Sequence, residues 1–340
     1  MVANFSALII GNIAIWVWTL QVFGGRPELL GTALLAYVFG LRHAFDPDHI
    51  AAIDNVVRKL MQDRKPATLT GFYFALGHSS IVMLASIAVS GTALSVPTNA
   101  LGDFSLIRTS VSAFFLFAIG LANYFILRSI WAAFSGVKRG HGLTDDHLES
   151  LLSTQGPLNR VFRPLFRLVT RSWHMFPVGF IFGLGFDTAT EIGLFGISAT
   201  EAAQGTSFWM ILLFPLLFAA GMTLMDTADS ALMSGAYGWA FAKPARKLWY
   251  NLTLTSISVV VAMFIGTVEV LGLVSDKLGL ENGLWSIVRS LNAHMDNLGY
   301  VIVAIFIASW ICSALLYRFK GYDNLRLEAT SSVPAPSPGQ

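Results

Sequence analysis

Apolar residues run through the chain in blocks of about twenty, separated by short polar stretches. A helix needs about 20 predominantly apolar residues to cross a bilayer. On that measure eight spans are predicted, over about 3–22, 29–57, 67–94, 106–130, 174–199, 206–242, 249–275 and 296–318. The blocks are too long for the roughly ten-residue alternating strands of a barrel. The sixth carries Pro215 and several glycines and is expected to bend. The stretch 280–294 is too short to span and is expected to lie along the interface. The fold class expected is therefore an all-α polytopic membrane protein. One transmembrane domain covers 1–320 with a loop near 131–173, and a Ser- and Pro-rich tail over 321–340 is expected to be disordered.

The pattern is interrupted most sharply inside the second span, at Leu41-Arg42-His43-Ala44-Phe45-Asp46-Pro47-Asp48-His49-Ile50. A charged side chain at bilayer depth costs about 2.5–3.5 kcal/mol on insertion scales, so this stretch must face protein or a wet cavity. Proline lacks an N–H and disfavours the α conformation in the residue before it. Asp46 therefore reads as an N-cap and Pro47 as the first residue of a new half-helix. The second span is expected to be broken there. In an unbroken helix His43 and His49 would point about 240° apart. They can share one ion only if the chain unwinds between them, and broken spans mark ion sites in transporters.

Composition sharpens the class and charge sets the orientation. The 340 residues are 54% hydrophobic and 12% charged, against about 25% charged in a soluble domain. The single cysteine, Cys312, excludes an intrachain disulfide and any cysteine cluster for metal. The first apolar run has no basic segment before it and is expected to be a retained span. Seventeen of the 22 lysines and arginines fall on one side of the predicted spans: between the second and third, the fourth and fifth, the sixth and seventh, and after the eighth. The other side holds only Arg26, Arg108, Lys277 and Arg289. The positive-inside rule puts the richer side, and both termini, in the cytoplasm of a multi-pass plasma-membrane protein.

Other spans carry polar groups too. The third holds Leu76-Gly77-His78-Ser79-Ser80, in which His78 reads as a ligand, a proton relay or an inter-helix hydrogen bond. The fifth holds Asp187 and Glu191, four apart and so on one helical face. Two such carboxylates repel unless a cation or proton lies between them; Thr188 and Glu191 also fit a capping box at a second break. The sixth holds Asp226 and Asp229, three apart on one face. Asn12, Asp54, Asn123 and Glu269 read as structural hydrogen-bonding groups, Asp54 pairing at the basic end of its span. His141, Asp145 and His147 sit in the 131–173 loop, which reads as a solvated polar segment, with a metal-handling role for the three as the alternative. A short echo relates Phe39-Gly40-Leu41 with Phe45-Asp46 to Phe182-Gly183-Leu184 with Phe186-Asp187, offset 143. Phe74-Ala75-Leu76-Gly77 echoes Phe218-Ala219-Ala220-Gly221, offset 144, as inverted repeats would.

Imidazole with carboxylate and no thiolate favours a borderline transition metal such as Ni²⁺, Co²⁺, Zn²⁺ or Fe²⁺ over Mg²⁺ or Ca²⁺. No Gly-x4-Gly-Lys-Ser/Thr loop is present to drive an ATP pump. No His-Glu-x-x-His motif is present for a zinc protease. A secondary transporter, not an enzyme, is expected.

The run His43 to His49 fits an H-x4-D-H signature and resembles that of the nickel/cobalt transporter (NiCoT) family of secondary permeases. Leu76-Gly77-His78-Ser79, Gly185 to Glu191 and Met225 to Asp229 resemble that family's other signatures in order, and the resemblance covers nearly the whole chain apart from the tail. It implies high-affinity uptake of Ni²⁺, Co²⁺ or both across the cytoplasmic membrane, with no bound cofactor and no nucleic-acid partner. His43, Asp48 and His49 would belong to the metal site with Asp46 alongside. His78, Asp187, Glu191, Asp226 and Asp229 would line the pathway, support the ligands or handle protons. The alternatives are transport of Zn²⁺, Mn²⁺ or Fe²⁺, and a membrane metal sensor that does not transport.

Overall fold

The computed structural model describes residues 2–92, most of 109–131, 135, 169–184, 189–240 and 244–319. Among them the regular structure is helical, with no strand. In chain order the helices are α1 (Val2–Phe23), α2 (Pro27–His43), α3 (Pro47–Gln62), α4 (Thr70–Thr92) and α5 (Ser112–Phe125). After them come α6 (Met175–Phe182), α7 (Ala189–Ala203), α8 (Leu213–Ala240), α9 (Pro244–Leu278), α10 (Leu284–Ala293) and α11 (Met295–Phe319).

Among the described residues four helical stretches are long and apolar enough to cross a membrane unaided: Asn4–Phe23, Thr70–Ala88, Phe208–Gly238 and Leu252–Leu278. A fifth is the bent pair Leu284–Ala293 and Leu298–Ser309, which turns by 81°. This is fewer than the eight spans read from the sequence. The second and fifth of those are divided between two shorter helices each, α2 with α3 and α6 with α7. The chain is a multi-pass membrane protein whose α1 presents Ile9, Ile10, Ile13 and Trp18 outward, as a lipid-facing helix does.

The sixth span is interrupted just before its proline. A short helix, Phe208–Ile211, stops at Leu212 and α8 restarts at Leu213, so that Pro215 falls in the first turn of α8, where an amide N–H has no helical partner to lose. The Asp63-Arg64 turn that ends α3 puts Arg64 at φ 55°, in the left-handed region typical of a helix C-terminus.

Two helix pairs are drawn together by glycine. A Cβ on Gly40 would collide with the Phe218 carbonyl, and one on Gly221 with the Tyr37 and Leu41 backbone, so α2 and α8 touch main chain to main chain. The same contact recurs between α4 and α6. There Gly179 faces the Phe74 carbonyl, and Gly77 faces Phe176 and Phe180. The correspondence is complete: Tyr37, Gly40 and Leu41 match Phe176, Gly179 and Phe180 at an offset of 139, and Phe218 and Gly221 match Phe74 and Gly77 at 144. The repeat is therefore real at the level of contacts, but its first limb is shifted. Gly40 corresponds to Gly179, not to Gly183 as the echo of letters suggests, because packing and not the identity of flanking residues defines the match.

Candidate metal site

The break in the second span falls where proline chemistry puts it. α2 ends at His43, Asp46 takes an extended backbone (φ −60°, ψ 136°), and Pro47 opens α3. Asp46 occupies the N-cap position, yet its carboxylate makes no capping bond. It turns back instead, Oδ2 lying 3.0 Å from His43 Nδ1. Asp48 supplies a local bond in its place: its Oδ1 accepts the His49 N–H at 2.9 Å. Unwinding three residues brings the two histidines together, their ring centroids 4.7 Å apart.

His78 joins them from the middle of α4. One nitrogen from each of His43, His49 and His78 fits within a set whose members all lie within 4.8 Å of one another. All three side chains are buried. The rings rest on the two phenylalanines of the repeated contact, Phe218 against His43 and Phe74 against His49.

Each histidine meets a carboxylate. His43 has Asp46, with Thr190 Oγ1 also 3.1 Å from the same Nδ1. His49 Nδ1 lies 3.3 Å from Asp226 Oδ2 on α8. His78 Nε2 lies 3.0 Å from Glu191 Oε1 in the first turn of α7. A carboxylate that accepts from Nδ1–H fixes the tautomer and leaves the Nε2 lone pair for an ion. That describes His49; at His43 the hydrogen-bond partner of Nδ1 is Thr190 Oγ1, and Asp46 stands beside it as an ion-pair partner. Glu191 differs, since it approaches the Nε2 side of the site.

Three atoms define a tight opening. His43 Nε2 and His78 Nε2 are 3.0 Å apart, His78 Nε2 and Glu191 Oε1 are 3.0 Å apart, and Glu191 Oε1 is 3.9 Å from His43 Nε2. The point equidistant from that triangle lies about 2.0 Å from each atom, the length of a bond from imidazole nitrogen or carboxylate oxygen to a first-row divalent metal. The chemistry available is reversible coordination of a borderline cation by imidazole and carboxylate, inside an envelope shut off from solvent.

Of the residues singled out in the sequence, His43, Asp46, His49, His78, Glu191 and Asp226 converge here, with Asp48 capping beside them. Asp229 sits one turn along α8 from Asp226, away from the rings, within electrostatic reach of both Asp226 and Asp54. Asp187 and Thr188 lie outside the described residues, as do His141, Asp145 and His147. Asn12 and Glu269 are structural as expected, accepting from Tyr37 at 3.1 Å and Ser112 at 3.0 Å. Asp54 is not held in a simple ion pair: Tyr237 and Ser258 donate to its two oxygens at 2.8 and 2.6 Å. Sequence reasoning missed Thr190, although it neighbours Glu191 in the same motif, and also Arg58, whose place at a span's end suggested only a basic flank.

Known proteins resemble this chain over most of its length. The family model described as high-affinity nickel-transport protein (NicO) matches residues 29–316. A high-affinity nickel transport protein of Cupriavidus necator is 51% identical over 328 residues, covering 96% of this chain and 93% of its own length. The nickel transporter NixA of Staphylococcus aureus is 46% identical over 295 residues, 86% of each chain. The cobalt transport protein NhlF of Rhodococcus rhodochrous is 39% identical over 313 residues, 89% of this chain and 88% of its own. No solved structure matches. These are transport proteins, not enzymes, and the broken second span with its buried histidines falls within the matched region. The chain belongs to the NicO family of high-affinity nickel-transport proteins.

Proposed function

We propose that this protein takes up Ni²⁺, Co²⁺ or both across the cytoplasmic membrane with high affinity. The ion binds where α2, α3, α4 and α7 meet. His43, His49 and His78 are the nitrogen ligands and Glu191 is an oxygen ligand. Asp46 and Asp226 orient His43 and His49, and Asp48 holds the start of α3. Asp187, taken from its motif, and Asp229, one turn beyond Asp226, serve the path of the ion. Residues 1–320 act as one membrane domain with both termini in the cytoplasm, which the distribution of lysine and arginine supports.

One observation carries this reading: three buried donor atoms from three helices surround a point about 2.0 Å from each, a metal–ligand bond length. The names of the relatives supply the two metals. The test is uptake of trace labelled Ni²⁺ by cells expressing the chain, with excess Co²⁺, Zn²⁺, Mn²⁺ or Mg²⁺. Saturable uptake that Co²⁺ suppresses and Mg²⁺ does not is the expected result. Suppression by Zn²⁺ or Mn²⁺ in preference to Co²⁺ would change the cargo. Membrane-located protein with no uptake of any metal would leave a sensor.

A further inference from the structure

A second buried polar cluster lies beyond the histidines, toward the basic end of α3. On α8 the buried positions Thr223, Thr227, Ser230, Ser234 and Tyr237 recur every three or four residues, with Asp226 beside Thr227, a polar stripe along a largely apolar helix. α3 meets it through His49 at Asp226 and Asp54 at Tyr237, with Ser258 of α9 also on Asp54, and α3 carries Asn55 and Arg58 farther along, all buried. Polar groups this deep in a membrane protein line paths for ions or water. Arg58 closes the line, nine residues and about 13.5 Å along α3 from His49.

Arg58 is the anomaly. Its side chain is fully buried at 0% exposure. Nη2 donates to Asn55 Oδ1 at 2.8 Å, and Asn123 donates to the same oxygen. Nε and Nη1 have no hydrogen-bond partner among the described residues. A guanidinium keeps its charge at any working pH, so it cannot escape burial by losing a proton. Donors left unmet in the interior are costly, so an acceptor within reach is a more favourable place for the guanidinium. The relief is one helical turn away. Asp54, at i−4 and within Coulombic range, is an acceptor whose two oxygens are occupied here by Tyr237 of α8 and Ser258 of α9.

We propose that Arg58 is the inner gate of the transport path, its unpaired guanidinium blocking a divalent cation while Tyr237 and Ser258 hold Asp54. When α8 and α9 draw back from α3, the hydroxyls leave Asp54, Arg58 swings to the freed carboxylate, and its charge is neutralised. The route from His49 past Asp226 and Asp229 then opens inward. Arg58 binds no cargo in this scheme, and the proposal rests on the transport reading and on the orientation given above.

The exposed Cys312 makes the test direct. In full-length protein carrying Cys312→Ser, a reporter cysteine is placed by Ser234→Cys, whose native side chain is buried on the stripe. Inside-out and right-side-out vesicles are treated with a membrane-impermeant methanethiosulfonate. With Arg58→Gln, labelling from the cytoplasmic face is expected to quicken at least tenfold, with no change from the other face. Arg58→Lys, which keeps the charge, should stay near the parent rate. Equal rates for the parent and Arg58→Gln, or an equal rise from both faces, would overturn the gate. Should Arg58→Gln fail to reach the membrane, Asn55→Ala frees Arg58 to turn toward Asp54 and must raise labelling from the same face; a flat rate there also overturns it. Labelling requires no cargo. Absent Ni²⁺ uptake by the Cys312→Ser parent would refute the transport reading alone, and flat labelling with intact uptake would refute the gate alone.

Discussion

Asp226→Asn separates a carboxylate that orients a ligand from one that only adds charge. Asp226 Oδ2 lies 3.3 Å from His49 Nδ1 and reaches the site through that ring. Asparagine keeps the shape but turns a charge-assisted hydrogen bond into a neutral one. Hydrogen bonds to charged groups contribute about 1.5–3 kcal/mol against about 1 for neutral pairs. Loss of a carboxylate that holds a metal-binding histidine typically costs 10–100-fold in affinity, or about 1.4–2.7 kcal/mol. The first route gives a difference of about 0.5–2 kcal/mol, and the two overlap at about 1.4–2 kcal/mol, so Ni²⁺ affinity should fall by about ten- to thirtyfold. The assay is Ni²⁺ binding by purified protein, alongside KM for uptake at matched membrane abundance. A double-mutant cycle with His49→Ala supplies the decisive comparison. If Asp226 acts through His49, the double variant binds no more weakly than His49→Ala alone. Fully additive losses would refute the coupling and leave Asp226 as an independent attractor of the cation.

Further outcomes follow from the same geometry. His43→Ala and His78→Ala should each abolish saturable Ni²⁺ uptake with protein still in the membrane, and wild-type uptake by well-expressed His78→Ala would remove α4 from the site. Pro47→Ala should let α2 run into α3 and carry His43 and His49 apart; an unchanged KM would show that the break is dispensable. Gly40→Ala and Gly179→Ala should each lower the melting temperature of detergent-purified protein by several degrees, since their Cβ atoms meet the Phe218 and Phe74 carbonyls. Gly196→Ala, with nothing within 4 Å of its Cβ, should be neutral or slightly stabilising, by up to about 1 kcal/mol. Equal melting temperatures for all three would refute the close-packing argument.

The break at Asp46-Pro47 was legible in the sequence because proline's missing donor and its steric effect on the preceding residue act locally. So was the need for His43 and His49 to converge, which is helix arithmetic. The partnership of His78 with His43 was not legible. Those residues are 35 apart in the chain, and their rings meet only because glycines let α2 press on α8 and α4 on α6. Glu191 announced itself as a buried carboxylate, but its place beside His78 depends on how α7 re-enters after the second interruption. Arg58 was misleading for a different reason. A basic residue at the end of an apolar run ordinarily faces water, and only packing shows this one enclosed.

The twice-made glycine contact bears on how ancestry can be read in such proteins. Where two main chains touch, the atoms in contact belong to every amino acid, so the neighbouring side chains are free to diverge without disturbing the fit. Tyr37 and Phe176 occupy matching places with different letters, while the glycines, which contribute no side chain, are kept on all four helices, and Phe74 and Phe218 are kept where their rings also meet the histidines. A duplication recorded this way fades from pairwise scoring long before it fades from the molecule. What persists is the spacing of absences.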